Sequence, residues 1–399
     1  MEEIYAACVT YEPSLVDYVD LKKVTEPVWI LGKKYNILEG DTFEALQDEI
    51  RSKLWFTYRK QFLPIGDSGL TSDSGWGCMH RCGQMLMGQA LIWRYLKRDW
   101  TWKPNHDDEI YQKILWQFND KIECQYSIHK IALKGNLLEK QVGQWFGPNT
   151  VVQVMKRLAE EDTENDIAIH VAMDNMVIKN ELRKLFRRSN KSCQNTVSAD
   201  TLSASSNILD SSCDQGGTCI NENSSEYCET ICPVLLTIPL RLGLSEIIPV
   251  YYEKLKAVFT LKQSLGIIGG RTNHASYFIG YVGNELIYLD PHTTQLHKSE
   301  PPLEDKTYHC EHPSRMTFSQ LDPSVALCFY LENETDFEHW CRDAHQVLLE
   351  PEKDALFEIL EEKPPMLPYV DIDVDDDFNV SLNEMDRVYT SDNEFELLM

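Results

Sequence analysis

Apolar residues recur at helical spacing in several stretches of this chain. Within residues 43–62, Leu46, Ile50, Leu54 and Tyr58 fall on one face of a helix, because about 3.6 residues make one turn. The same spacing predicts further helices over residues 78–97, 107–122, 149–161, 249–262 and 335–349. Each of these helices would present an apolar face to a shared core.

Short apolar or alternating runs predict β-strands, mostly in the second half of the chain. They cover residues 167–171, 233–239, 276–281 and 285–290, and the apolar run of residues 28–32 is expected to be the first ordered piece of the chain. The last two strands are joined by Val282-Gly283-Asn284, which has the composition of a hairpin turn. Helices together with a later antiparallel hairpin predict an α+β fold.

Three segments differ in composition from these patterned regions. Residues 189–232 are rich in Ser, Asn, Asp, Thr and Cys and hold few large apolar side chains, so we predict a disordered insertion. Residues 1–27 are polar and mixed, which predicts a flexible leader. Residues 350–399 contain 16 acidic and 3 basic residues and form an acidic tail, which we predict to be disordered from about residue 364. The hydrophobic content of the whole chain, 43%, still suffices for a packed core.

The charge balance excludes some classes of protein. The formal net charge of −25 argues against a nucleic-acid-binding protein, because such proteins need a basic surface. The chain shows no secretory leader and no apolar run near the roughly 18 residues of a membrane span. We therefore expect a cytoplasmic protein without a transmembrane segment, whose cysteines are reduced thiols.

The cysteines give no sign of a metal site. Those in and beside the insertion lack the paired Cys-x-x-Cys spacing that zinc sites use: they are Cys193, Cys213, Cys219, Cys228 and Cys232. We therefore predict no metal and no cofactor.

The segment Gly75-Trp76-Gly77-Cys78 carries the clearest chemical signal. It delivers Cys78 to the first turn of the helix predicted over residues 78–97. A helix N-terminus has unpaired N–H groups and a partial positive charge, which favour the thiolate form that attacks carbonyls. The flanking glycines let the backbone turn sharply and approach a substrate. Cys78 is therefore a candidate nucleophile, although most free cysteines are simply buried apolar residues.

Two histidines are candidates for the base that such a nucleophile needs. Asp290 and His292 lie two residues apart at the end of a predicted strand, so both side chains emerge on the same side. Pro291 restricts Asp290 to an extended conformation. His274, just before the preceding strand, is the second candidate. The residues alone leave both assignments open.

Five blocks of this chain resemble the autophagins, the autophagy-related cysteine proteases that process a ubiquitin-like modifier. The blocks are Trp55-Phe56-Thr57-Tyr58-Arg59, Ser72-Asp73-Ser74-Gly75-Trp76-Gly77-Cys78, Gly143-Gln144-Trp145-Phe146-Gly147-Pro148-Asn149-Thr150, Pro239-Leu240-Arg241-Leu242-Gly243 and Asp290-Pro291-His292-Thr293-Thr294-Gln295. They occur in the family's order and lie within roughly residues 28–345. The resemblance implies a papain-like cysteine protease fold.

The resemblance also implies how the chain is divided. Residues 28–129 and 233–349 would form the papain-like protease domain. Residues 130–188 would form a small inserted auxiliary lobe. The insertion of residues 189–232 would lie between this lobe and the second part of the protease domain. Residues 350–399 would carry a docking motif.

The resemblance implies roles for the candidate catalytic residues. Asp290-Pro291-His292 matches the family motif residue by residue, which favours His292 over His274 as the base and makes Asp290 its orienting partner. Tyr58, which the pattern places on a helix, would help the backbone N–H of Cys78 to hold the oxyanion.

The groove over the nucleophile is expected to have two walls. By resemblance, Trp145 belongs to one lid, and the loop with Gly269, Gly270, Arg271 and Thr272 forms the other. Vertebrate members of the family carry proline near position 272, and a threonine there would loosen the loop. A narrow slot walled by tryptophan would favour glycine at the cleavage site.

The end of the chain carries a second signal. Phe395 and Leu398 follow acidic residues with the spacing of a short docking peptide, which could add a strand to a sheet edge of a partner. By resemblance, that partner is the ubiquitin-like autophagy modifier.

The implied activity is that of a thiol endopeptidase. It would cleave after the C-terminal glycine of the modifier precursor and would also release the modifier from phosphatidylethanolamine, touching autophagic membranes only through that conjugate. We expect a monomer. Two alternatives are an inactive module that only docks the modifier, and a protease of other specificity, such as a deubiquitinase.

Overall fold

A computed structural model describes residues 21, 24–38, 43–104, 108–187, 232–298, 303, 305–351 and 354–365. The predicted leader and insertion lie almost entirely outside these ranges, and so does most of the predicted tail. Phe395 and Leu398 are outside the described residues.

The described residues form helices and strands in a mixed order. The helices are α1 (Phe43–Arg51), α2 (Cys78–Tyr95), α3 (Glu109–Trp116), α4 (Ile128–Gly135), α5 (Pro148–Glu161), α6 (Lys179–Phe186), α7 (Tyr252–Val258) and α8 (Glu334–Ala344). The strands are β1 (Val28–Ile30), β2 (Lys33–Tyr35), β3 (Arg59–Lys60), β4 (Ala168–Val171), β5 (Met176–Ile178), β6 (Val234–Arg241), β7 (Ser264–Arg271), β8 (His274–Val282), β9 (Glu285–Leu289), β10 (Gln295–Leu296), β11 (Ser314–Thr317), β12 (Ser324–Leu331) and β13 (Glu358–Leu360).

One large sheet organises the fold. Its main strand order is β11-β9-β8-β7-β12-β6-β4, and β1 joins it by pairing with β8. The pairs along this path are antiparallel except β4 with β6. This is the α+β, papain-like architecture that the sequence predicted.

Apolar side chains on the two faces of the sheet form two cores. Along β8, Tyr277 and Ile279 face the core that includes α2, whereas Phe278 faces the opposite core, because side chains alternate along a strand. Every residue of α2 from Cys78 to Trp93 is buried, as expected of a helix enclosed by other elements. Helix α2 packs on β7 and β8, which places its first residue beside the hairpin that these strands form.

The segment expected to be an auxiliary lobe is joined closely to the main body. Helix α5 packs on α2 and on β4, and β4 extends the main sheet by pairing with β6. Val151 and Leu158 of α5 are fully buried in the α2 core. The outer bounds of a lobe within residues 130–188 stay a prediction.

The helix predicted over residues 43–62 is too long. Helix α1 ends at Arg51, and the chain from Leu54 to β3 runs extended. Trp55 N–H donates to the carbonyl of Tyr308 at 2.8 Å, and β3 pairs in parallel with β10. Leu54 and Tyr58 are buried as predicted, but tertiary pairing and not a helix buries them.

The wall predicted as a loop is mostly strand. Gly269, Gly270 and Arg271 belong to β7, and only Thr272 and Asn273 form the turn that leads into β8. The two glycines led to the prediction of a loop, because glycine is uncommon inside strands. Strand β12, a continuous apolar run in the centre of the sheet, was also not predicted.

The tail boundary predicted at residue 350 is too early. Leu356 and Phe357 are buried in the core around α8, where Phe357 stacks on Trp340. Strand β13 then pairs in parallel with β5. Apolar residues thus hold the chain to the folded body beyond residue 350 despite the acidic composition.

Candidate active site

Cys78 is the first residue of α2 and is 3% exposed. The turn before it is held by Asp73, whose carbonyl accepts the N–H groups of Trp76 and Gly77 at 3.2 and 2.8 Å. Gly77 is required here, because a Cβ at this position would lie 2.4 Å from the Asp73 carboxylate. Cys78 therefore lies at a helix N-terminus, as the sequence predicted.

A buried ionic cluster supports this turn. Arg81, on the next turn of α2, donates to both carboxylate oxygens of Asp73 at 2.8 and 3.0 Å and to both of Asp120 at 2.9 and 3.0 Å. Its remaining N–H reaches Gln84 at 3.0 Å. One oxygen of Asp73 also accepts the N–H of Arg59 at 2.7 Å. The cluster ties the nucleophile turn to α2 and to the extended segment around β3.

Asp290 and His292 follow directly on β9. Nδ1 of His292 lies 2.5 Å from Oδ1 of Asp290, which also accepts the backbone N–H of His292 at 2.9 Å. The indole N–H of Trp55 donates to the Asp290 carbonyl at 2.7 Å, and Tyr58 N–H donates to the Pro291 carbonyl at 2.9 Å. The extended segment from Trp55 to Tyr58 therefore fixes the backbone that carries both side chains.

The three candidate groups are coupled electrostatically. Burial raises the pKa of the Cys78 thiol, but its interaction with His292 outweighs burial and leaves that pKa below its usual value. Burial opposes the charged form of His292, yet hydrogen bonding to Asp290 and the interaction with Cys78 raise its pKa to about 9. The same contacts hold the pKa of Asp290 well below its usual range despite burial. Both shifts favour a thiolate–imidazolium pair over a neutral thiol and imidazole.

Tyr58 lies beside both catalytic candidates. Its ring meets that of His292 edge to face, with centroids 5.3 Å apart. Burial, and next the neighbouring Cys78, raise the pKa of its hydroxyl well above the usual value, so it stays protonated and can donate a hydrogen bond. The structure thus brings Tyr58 to the site, on an extended segment instead of the predicted helix.

The rival histidine also lies at the site. The His274 ring stacks on that of His292, with centroids 3.5 Å apart and an interplanar angle of 5°. Its Nε2 lies 3.4 Å from Oδ2 of Asp290. The thiol of Cys78, however, interacts with His292 and Tyr58 and with the backbone of Ala275. The geometry favours His292 as the group that exchanges a proton with the thiol.

The two histidines and Asp290 could suggest a metal site, since they bring one ligand-type atom each within 4.8 Å of one another. The ring planes are nearly parallel and stacked, so their in-plane lone pairs do not converge on one point. Nδ1 of His292 is also engaged by Asp290. The arrangement suits proton transfer better than coordination.

Cys78 opens into a cleft of about 680 Å³. Trp145 lines one side, where its indole N–H donates to the Gly75 carbonyl at 2.5 Å. Gly269, Gly270 and Arg271 line the cleft too, and Thr272 is exposed at the adjoining turn. The predicted wall residues therefore gather around the thiol.

Sequence reasoning missed part of the supporting structure. Trp55 and Asp73 lie inside the blocks that resemble the autophagins, but the sequence does not show which hydrogen bonds they form. Asp120 belongs to no block and is 39 positions from Arg81. No signal in a single sequence links these two residues.

The fold and this site together define a cysteine-type peptidase: a low-pKa thiol at a helix N-terminus faces a buried histidine that a carboxylate orients. Residues 43–343 match the peptidase C54 catalytic domain. This chain belongs to the peptidase C54 family, which confirms the resemblance to the autophagins.

Curated relatives agree over almost the whole chain. Cysteine protease ATG4B of Xenopus laevis is 44% identical over 98% of this chain and 99% of the relative. Cysteine protease ATG4A of Homo sapiens is 42% identical over 90% of this chain and 89% of the relative. Within the described ranges, no helix is both long and apolar enough to cross a bilayer.

Proposed function

We propose that this protein cleaves the bond that follows the C-terminal glycine of a ubiquitin-like autophagy modifier. The observation that carries the proposal is the cleft over the thiol, which Cys78 lines together with Trp145, Gly269 and Gly270. We propose that the tryptophan wall excludes a side chain next to the scissile carbonyl. Glycine is the residue without one.

The first half of the proposed reaction is acylation. The Cys78 thiolate attacks the glycyl carbonyl carbon, and a bond forms between sulfur and carbon while the carbonyl oxygen becomes an oxyanion. The backbone N–H of Cys78, at the first helical position, and the Tyr58 hydroxyl donate to that oxyanion. His292 then gives its proton to the leaving amine, the C–N bond breaks, and a thioester remains.

The second half is hydrolysis of the thioester. Neutral His292 takes a proton from water, and the resulting hydroxide attacks the acyl carbon. The C–S bond breaks, sulfur leaves as the thiolate beside the imidazolium, and the product carboxylic acid gives its proton to solvent and is released as the glycine carboxylate. Asp290 keeps Nδ1 of His292 protonated, so that Nε2 faces the reaction throughout.

The same site would serve two substrates. In a precursor the leaving amine is the amine of the next residue, and in a lipid conjugate it is the amine of phosphatidylethanolamine. Both are amides of one glycyl carbonyl, so the chemistry is identical. We propose both activities, with membrane contact only through the conjugate, and a monomeric protein that acts in the cytoplasm.

We also propose that Phe395 and Leu398 dock the modifier outside the active site. The acidic residues before them would suit a basic groove on the partner. Residues 350–365 already lie partly on the folded body, which leaves the 29 residues 366–394 to span the distance between that body and the docking residues.

A gel-shift assay tests the proposal. The substrate is a ubiquitin-like autophagy modifier with a tag fused after its C-terminal glycine, incubated with wild-type protein or Cys78→Ala. A ubiquitin fusion of the same design serves as the matched control. We expect cleavage of the modifier fusion by wild-type protein only, and no cleavage of the ubiquitin fusion.

Other results would support the alternatives. Cleavage of the ubiquitin fusion at an equal rate would point to a protease of other specificity. Binding of the modifier fusion by both proteins without cleavage would favour the docking module. Cleavage by Cys78→Ala would show that Cys78 is not the nucleophile.

A further inference from the structure

Two histidines contact one carboxylate at this site. His292 engages Oδ1 of Asp290 through Nδ1 at 2.5 Å, and Nε2 of His274 lies 3.4 Å from Oδ2. Each histidine thus has an oxygen of its own. The two rings also stack with a centroid distance of 3.5 Å, so His274 covers one face of His292.

The backbone holds His274 firmly in this place. It is the first residue of β8 and pairs with Arg271 across the hairpin. The hairpin that leads into it requires unusual conformations, with φ of 60° at Asn273 in the turn and 153° at Gly270 in β7. A Cβ at Gly270 would lie 2.1 Å from the His274 carbonyl oxygen, so glycine keeps the two strands close.

Asp290 needs a second contact to be held in one orientation. Its Oδ2 is buried and has no hydrogen bond of normal geometry among the described residues, and Nε2 of His274 lies 3.4 Å from it. Without His274, only the two hydrogen bonds from His292 to Oδ1 would resist rotation of the carboxylate about its Cβ–Cγ bond. A rotated carboxylate would tilt the His292 ring away from Cys78.

We propose that His274 is a positioning residue, which holds the Asp290 carboxylate through Oδ2 and the His292 ring through stacking, so that Nε2 of His292 stays directed at Cys78. This inference rests on the proposed role of His292 as the base. It gives the second histidine a supporting task and not the proton transfer itself. Its side chain is 30% exposed, unlike the buried His292.

The surroundings of His274 define the charges that act on it. Asp290 and His292 lie on one side, and Cys78 lies in the cleft that His274 also lines. On its other side is a second cavity lined by Arg271, Glu285, Tyr288 and Arg315, where Arg315 pairs with Glu285 at 2.8 Å. Substitutions of His274 leave all of these groups in place.

Three substitutions separate the two contacts. His274→Gln keeps an N–H donor close to the position of Nε2 but removes the ring. His274→Phe keeps a ring that can stack but removes the donor. His274→Ala removes both. Because the side chain is partly exposed, we expect all three variants to fold, and thermal unfolding checks this.

The readout that needs no substrate is alkylation of Cys78 by iodoacetamide as a function of pH, with the modified residue located by mass spectrometry. Loss of a supporting hydrogen bond should lower the alkylation rate of His274→Ala and His274→Phe near neutral pH by about three- to ten-fold. The pH midpoint of alkylation should move upward, because a misplaced imidazolium stabilises the thiolate less. His274→Gln should recover most of the rate.

Turnover of the modifier fusion provides the second readout. We expect kcat of His274→Ala and His274→Phe to fall by about the same factor with KM unchanged. Wild-type rates and midpoints in all three variants would overturn the inference, and so would an effect on KM alone. A complete loss of alkylation at neutral pH would make His274 the base instead.

The two proposals fail in different ways. If wild-type protein alkylates at a low pH midpoint but cleaves no modifier fusion, the proposed substrate is wrong and the alkylation test of His274 stands. If cleavage occurs and the His274 variants behave like wild type, only the positioning role is wrong.

Discussion

Two buried clusters of charged side chains lie at the first turn of α2. They differ in whether their polar atoms all have hydrogen-bond partners. Asp73, Arg81 and Asp120 form a cluster in which five N–H groups of the arginine all find acceptors. Cys78, Asp290 and His292 form the other. There, Nε2 of His292 and Oδ2 of Asp290 are buried without a hydrogen bond of normal geometry among the described residues.

The difference reflects the task of each cluster. A buried guanidinium and two buried carboxylates are stable only when paired, and removal of one partner leaves an uncompensated charge. The first cluster therefore holds the backbone in one place. The second leaves Nε2 of His292, the atom that exchanges protons, without a fixed partner, which is costly for stability but necessary for reaction.

Two cysteines of α2 differ in the direction in which the pKa of their thiol is shifted. Burial and the nearby Cys78 raise the pKa of the Cys82 thiol well above its usual value, one turn after Cys78 itself. The pKa of Cys78 lies below its usual value because of His292. Position on a helix therefore does not activate a thiol unless a charged partner faces it.

The largest effect should come from His292→Ala. Without the base and the imidazolium, turnover of the modifier fusion should fall by about 10⁴-fold, as expected when a member of a catalytic triad is removed. His274→Ala is the matched control and should stay within about ten-fold of wild type. If the two variants exchanged these results in a cleavage assay, the assignment of the base would be reversed.

Arg81→Met breaks the supporting cluster and should lower the free energy of unfolding by about 3–5 kcal/mol, because two carboxylates lose their buried cation. Denaturant unfolding measures this loss. Arg81→Lys keeps the charge but not the paired geometry, so a smaller loss is expected. A loss below about 1 kcal/mol for Arg81→Met would mean that the cluster is no more stabilising than a surface ion pair.

Tyr58→Phe tests the contribution of one hydroxyl to the reactive cluster. It removes one donor to the oxyanion and almost no volume, so kcat should fall by about 10²-fold with little change in KM. Tyr126→Phe is the matched control, since that hydroxyl donates to Asp162 at 2.6 Å and does not line the cleft. An unchanged kcat for Tyr58→Phe would remove it from the mechanism.

The smallest effect concerns pH. The imidazolium of His292 must be protonated to release the amine, and its pKa is raised to about 9. The rate kcat/KM should therefore hold at neutral pH and decline about ten-fold per pH unit above about 9. In Asp290→Asn the stabilising charge is absent, so this decline should begin at lower pH. A profile with the same alkaline limb in both proteins would argue against the ion pair.

Much of the fold could be predicted from the pattern of apolar and polar residues, because helices and hairpins depend mainly on residues close together in the chain. Helix α2, the hairpin of β8 and β9, and the Asp290-Pro291-His292 exit were predicted close to their observed bounds. Helices α3 and α7 are shorter than predicted, spanning Glu109–Trp116 and Tyr252–Val258. The ends of an element depend on contacts with residues distant in the chain, which periodicity does not report.

The nucleophile turn, the histidine motif, the α+β class and the family could be predicted from the sequence, since each depends on residues that are adjacent in the chain. The remaining features depend on tertiary contacts. Tyr58 lies in an extended segment because Pro291 and Gln295 pair with it, and Arg81 is satisfied because Asp120 lies beside it. His274 shares Asp290 with His292 because the pairing of β8 with β9 brings the start of β8 against the end of β9. These contacts join residues far apart in the chain, and only packing of the whole fold brings them together.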